Sequence, residues 1–202
     1  MNKFLLLTLL VAMLYSCKTA KKTTESTSPQ ASVQKNNFLW ENANFYFLLT
    51  DRFNNGDSSN DDNLGRNKSA DVLRGFEGGD LRGIIQKIDD NYFTDLGIDA
   101  IWMTPIVEQI HGGTDEGSGK TYAYHGYWTK DWTALDPNFG TKEDLRELVQ
   151  KAHAKGIRIV LDAVVNHTGP VTEIDPAFPS DWVRTGPACT YEDYKSTGEC
   201  TL

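Results

Sequence analysis

Basic residues are in short supply: 20 Lys and Arg stand against 28 Asp and Glu, a formal net charge of −8 across 202 residues. Nucleic-acid binding needs clustered bases to neutralise phosphates, so that class is excluded. Long apolar runs are also missing. The one near the start, Phe4 to Met13, is too short to span a bilayer, which takes about 20 residues. No Gly-x-Gly-x-x-Gly follows the first apolar strand, which leaves a nucleotide-binding open sheet without support. Cysteine numbers only 3, an odd count that cannot close entirely into internal disulfides. What remains is the composition of an ordinary globular chain, long enough for one domain with a sizeable core. The 11% aromatic content suits a sugar binder, because pyranose faces pack on rings, but ordinary cores are aromatic too.

The beginning reads as an export signal. Lys3 supplies a positive start, Phe4 to Met13 the apolar stretch, and Leu14-Tyr15-Ser16-Cys17 follows at once. That ending resembles a bacterial lipobox, in which Cys17 becomes the lipidated first residue; an ordinary signal with a chance cysteine is the other reading. Residues 1–16 are thus expected to be a signal peptide. Residues 17–37, rich in Lys, Thr, Ser and Gln, are expected to be a flexible tether with too little apolar surface to offset ordering. The product would be exported and anchored to a membrane. With Cys17 reserved for lipid, Cys189 and Cys200 remain to pair in an oxidising compartment. Such a bridge closes a loop of about ten residues and contributes on the order of 2–3 kcal/mol.

Phe45 to Leu49, Ala100 to Met103 and Ile157 to Leu161 are short continuous apolar runs, which predicts strands buried on both faces. Between the first two, Asp80 precedes Leu81, Ile84, Ile85, Ile88, Tyr92 and Leu96 at helical spacing, stopped by Gly97. Between the second and third, Thr141 caps a helix with Leu145, Leu148, Val149 and Ala152 on one face, closed by Gly156. Strand, helix, strand, helix, strand means parallel α/β. Long loops, 51–79 and 106–138, follow the first two strands; loops of that length are seldom mere connectors. An eight-fold barrel builds its site from such loops.

Three constellations carry the unusual chemistry. Asp162-Ala163-Val164-Val165-Asn166-His167 puts three polar groups at the mouth of a buried strand, a costly arrangement unless they meet a ligand, a metal or one another. Alone, it is also readable as a capped turn. Tyr124-His125-Gly126-Tyr127-Trp128 offers rings that stack on a sugar and an imidazole for a hydroxyl, or equally a packed core. Asp51 to Asp62, with Gly78-Gly79-Asp80 later, gathers carboxylates and amides with few bases, which favours a hard cation, above all calcium. It is not an EF-hand, since no Glu closes the loop; a solvated acidic loop is the plain alternative.

Together, in this order, these segments resemble the α-amylase family, glycoside hydrolase family 13. The resemblance runs from about Phe45 to the end. It implies the amino-terminal portion of a TIM-type (β/α)8 barrel over 38–168, with 169–202 beginning the loop domain inserted after the third strand. It implies that Asp162, His125, His167, Tyr127 and Trp128 line a glucose subsite. It further implies Ca2+ at two places: Asn55, Asp57, Asn60, Asp61, Gly78 and Asp80 in the first loop, and Asn166 beside the inserted domain. The implied activity is retaining cleavage of α-1,4-glucosidic bonds in starch or maltodextrin. The family's acid and nucleophile would lie beyond Leu202, so the chain alone is expected to be inactive, its three strands unable to close a barrel. Asp175, Asp181, Glu192 and Glu199 fall too early for those roles. Alternatives are a cyclodextrin glycosyltransferase, a neopullulanase-like enzyme, or a surface lipoprotein that binds glucan without cleaving it.

Overall fold

Phe45–Leu48 (β1), Ala100–Met103 (β2) and Arg158–Leu161 (β7) form a parallel three-stranded sheet in the order β1-β2-β7. Phe47 pairs with Trp102, and Trp102 with Val160. The computed structural model describes residues 38–66, 69–117 and 119–183. The expected signal (1–16), tether (17–37), Cys17, Cys189 and Cys200 lie outside the described residues.

Side chains alternate across each strand. Leu48, Ile101 and Met103 point into a core with Leu81, Ile84, Ile85, Ile88, Phe93, Leu148 and Ala152, all buried. On the opposite face Phe45, Phe47 and Trp102 stay 47%, 47% and 40% exposed. Burial on both faces is therefore realised on one only. Helices cover a barrel strand from outside; the inner face is closed by strands across the barrel, which three neighbours cannot supply.

Leu81–Asp89 (α2) begins as expected: Asp80 accepts from the Gly83 N–H at 2.6 Å. It stops sooner than the spacing predicts. Asn91, at φ 64°, breaks the run, and a separate turn, Tyr92–Asp95 (α3), follows. The break rotates the apolar register, so that Phe93 enters the core while Tyr92 and Leu96 face outward, 38% and 54% exposed. Asn tolerates this left-handed conformation better than most residues. Lys142–Ala154 (α4) carries the full capping box, Thr141 and Asp144 bonding each other's backbone N–H. Gly97 and Gly156 follow their helices at φ +69° and +79°.

The two loops hold more order than their composition suggests. Thr50–Phe53 (α1) is one helical turn directly after β1. Val107–Gln109 (β3) pairs antiparallel with Thr129–Leu135 (β6), and Thr114–Asp115 (β4) with Lys120–Thr121 (β5). A fully buried ion pair ties the loops together: Arg66 donates to both oxygens of Asp136 at 2.6 and 2.5 Å and lies over the Phe76 ring. The Asp136 carboxylate also accepts the Gln109 and Asn138 N–H groups, so the acid is well satisfied, while Arg66 Nε stays buried without a hydrogen-bond partner.

Candidate functional site

Asp162 leaves the end of β7 and accepts a hydrogen bond from the Tyr127 hydroxyl at 3.1 Å. Tyr127 is the hub. Its carbonyl accepts from His167 Nε2 at 3.0 Å, and its N–H donates to His125 Nδ1 at 3.0 Å. Segments 125–128 and 162–167, far apart in sequence, thus meet through one residue.

These bonds settle which ring nitrogen is engaged on each imidazole. His125 accepts at Nδ1, so its Nε2 carries the proton and can donate outward. His167 donates from Nε2. Burial above all holds the His125 pKa below the ordinary histidine value; the Arg52 charge adds to this and Glu116 opposes it. Burial, then the bond to Asp162 and its charge, raises the Tyr127 phenol. The rings make a continuous wall. His125 lies nearly parallel to Tyr127 at 14°, edge-on to Trp128 with centroids 4.8 Å apart, and edge-on to Tyr124 at 5.4 Å. The backbone of half-buried Trp128 is fixed through its main-chain N–H, which donates to Gln109 Oε1 at 2.7 Å. A carboxylate, a phenol, an outward imidazole N–H and apolar ring faces suit a polyhydroxylated ring.

The first-loop residues also converge, though not all in the same way. Asn55 donates to both oxygens of Asp61 at 2.8 and 2.9 Å, and Gly78 packs so closely on that pair that a Cβ there would overlap them. Asp80 takes N–H bonds from Gly56, Asp57, Gly83 and the Asn60 amide, two to each oxygen. That leaves Asn60 Oδ1 buried without a hydrogen-bond partner, an orphan that a cation would satisfy. One oxygen of the Asp57 carboxylate, Oδ1, accepts from the Ser59 N–H and hydroxyl, and its main-chain oxygen accepts from the Asn60 N–H. No three His, Cys, Asp or Glu side chains cluster as a metal site among the described residues; the donors here are chiefly amide and carbonyl oxygens. That hard-oxygen set fits calcium. Asn166 is apart from it: exposed, lining a cleft with Trp132, His167 and Trp182.

Arg52 and Gly126 had no role in the sequence reading and Asp51 only a place in the acidic loop, whereas Asp175 and Asp181 behave as structural and solvated residues, as expected of acids too early for catalysis. Arg52 lies over the Tyr124 ring with 3.9 Å to its centroid. Asp51, 1% exposed, accepts from the Glu77 and Gly78 N–H groups and pairs with Arg52 at 3.0 Å. Burial pushes its carboxyl up to about 6, with Arg52 pulling the other way; so enclosed, it has no access to a ligand. Gly126 reaches φ +88° against Pro105. Asp175 is buried and structural, holding the His111 and Gly112 N–H groups, Lys130 and Thr172; Asp181 is exposed. The signal for Arg52 was its place straight after a strand end, but its partner is remote in sequence.

Residues 47–196 match the family model for the α-amylase catalytic domain. The periplasmic α-amylase of Escherichia coli is 53% identical over 142 residues, 68% of this chain and 21% of that protein. A cyclomaltodextrin glucanotransferase of Geobacillus stearothermophilus is 36% identical over 179 residues, covering 88% and 25%. The crystal structure of an Anoxybacillus α-amylase superposes with a TM-score of 0.54 at 38% identity, covering 65% of this chain and 26% of that one. The chain spans only 13% to 25% of the length of the first curated relatives it matches. With the parallel strands, the strand-end site and these matches in agreement, the chain belongs to the α-amylase family of glycoside hydrolases.

Proposed function

We propose that residues 38–183 supply the glucose-binding wall of an exported enzyme that cleaves α-1,4-glucosidic bonds of starch or maltodextrin with retention. The observation that carries this is the meeting of Asp162, His125 and His167 on Tyr127. His125 donates to a sugar hydroxyl, Tyr127 and Trp128 offer their faces, and Asp162 accepts. Retention needs two carboxyl groups about 5–5.5 Å apart across the scissile bond. The described buried acids are otherwise engaged: Asp51, Asp80 and Asp175 by backbone N–H groups, Asp136 by Arg66. These four are therefore not the acid and nucleophile.

Asn55, Asp57, Asn60, Asp61 and the Gly78 carbonyl would hold calcium in the first loop, with Asp80, whose oxygens already take four N–H bonds, ordering the loop around it instead of binding as expected; the ion would supply rigidity rather than a reacting group. Asn166 holds a second ion with residues of the inserted domain. Export accords with the periplasmic name of the Escherichia coli relative; lipid on Cys17 rests on the Leu14-Tyr15-Ser16-Cys17 segment alone.

The test uses the whole enzyme that carries these residues, with maltoheptaose as substrate. His125→Asn and His167→Asn are each expected to lower kcat/KM roughly 10- to 100-fold, the loss of one strengthened hydrogen bond. Unchanged kinetics in both variants would overturn the assignment. The likeness to cyclomaltodextrin glucanotransferases favours one second reading, transfer instead of hydrolysis, which cyclic products from the same assay identify.

A further inference from the structure

We propose that Arg52 is a positioning residue for His125: from the end of β1 it braces the Tyr124 ring against which the imidazole is set, and so aims the free Nε2–H at the sugar. The inference deepens the reading of this site as a glucose subsite and rests on it.

Arg52 is held on three sides. One guanidinium nitrogen donates to the carbonyls of Leu73 and Gly75 at 2.9 and 2.8 Å. Another makes no hydrogen bond but lies in charge contact with Asp51 at 3.0 Å and Glu77 at 3.6 Å. The flat face covers Tyr124 at 3.9 Å. A planar fork can make all three sets of contacts at once; a lysine ammonium cannot. Tyr124 so pinned presents its ring edge-on to His125, 73° between planes. With Nδ1 tied to the Tyr127 N–H, the imidazole has a ring contact on one side and a hydrogen bond on the other, and Nε2 is the polar atom left over.

The second contribution is charge. The groups facing His125 are the rings of Tyr124, Tyr127 and Trp128, the cation of Arg52 and the carboxylate of Glu116, with Asp162 behind Tyr127. Glu116 is itself paired with Arg74 at 3.3 Å. Arg52 therefore works with burial to keep the imidazole neutral, the form that has one N–H donor and one acceptor.

The experiment is a pH titration of the 202-residue chain labelled with 15N-histidine, followed by NMR. The chain has 4 histidines, and His125→Asn assigns the relevant signal. In the wild type, His125 is expected as the neutral Nε2–H tautomer. Arg52→Met and Tyr124→Leu each move its titration midpoint upward, while exposed His153 stays put. Because both act through one contact, the double variant moves it by less than the sum. Arg52→Lys, which keeps the charge, restores part of the midpoint but not the wild-type tautomer population. Arg52→Met also weakens maltoheptaose binding, read from the same signal, by roughly five-fold, about the value of a partly buried cation–π contact. A His125 midpoint unmoved in both single variants would overturn the proposal, and so would an Nδ1–H tautomer in the wild type. Should Arg52→Met fail to fold, Tyr124→Leu decides, since it leaves the Arg52 carbonyl bonds intact. A normally titrating wild type whose His125 ignores maltoheptaose would instead overturn the glucose subsite, leaving the Arg52 brace standing.

Discussion

A Cβ on Gly126 would overlap the Pro105 carbonyl oxygen, and its φ of +88° is one that side chains rarely adopt. This glycine lets His125 and Tyr127 sit on either side of a tight turn pressed against the end of β2. Gly126→Ala is expected to cost about 1–3 kcal/mol in urea unfolding. It should also weaken maltoheptaose binding more than an equally destabilising core change such as Leu148→Ala; equal losses of binding would reduce Gly126 to a stability role. At this scale Asp162, His125, Tyr127 and His167 were legible as candidates, because polar and aromatic groups at a strand mouth need a reason to be there. The Tyr127 hub was not. A run such as Tyr-His-Gly-Tyr-Trp says nothing about which backbone groups its imidazole meets, and Asp162 is far along the chain.

At the scale of elements, Asp175 fastens the segment after β7 onto the β3–β6 ribbon. It accepts from the His111 and Gly112 N–H groups at 3.0 and 2.7 Å, from Lys130 at 2.8 Å and from Thr172 at 2.6 Å. Burial alone would raise its carboxyl, but Lys130, Thr172 and the two N–H groups outweigh that and bring it down to about 2. A carboxyl whose folded pKa is depressed stabilises the fold above its unfolded value, about 3.9, and that stability is lost as pH falls towards 2. Asp175→Asn should therefore cost about 2 kcal/mol at pH 7, with wild type and variant converging between about pH 4 and 2 in acid-dependent urea melts. A gap that does not change with pH would contradict this. The helices were readable from spacing and caps, since Asp80, Thr141, Gly97 and Gly156 act locally. The ribbon was hidden. β3 is three residues long and its register shifts twice against β6, so no alternation survives to be read.

For the whole molecule, the first loop is the obvious place where a bound ion adds stability. Orphaned Asn60 Oδ1 and the crowded Asn55, Asp61 and Gly78 predict that EDTA lowers the melting temperature by several degrees. Calcium should restore it and magnesium should not, because flexible amide and carbonyl donors suit the larger cation. A melting curve indifferent to both ions would count against the site. What the sequence determined by itself is local or periodic. It set the parallel strand–helix order, the caps, and the polar residues stranded at strand ends, because each follows from neighbours within a turn or a strand. Tertiary structure alone decided which face of the sheet was covered and where the α2 helix gave way at Asn91. It also chose the partners of Arg52, Asp80 and Tyr127. Those outcomes depend on groups brought together by packing from distant parts of the chain, and no spacing along a single segment encodes them.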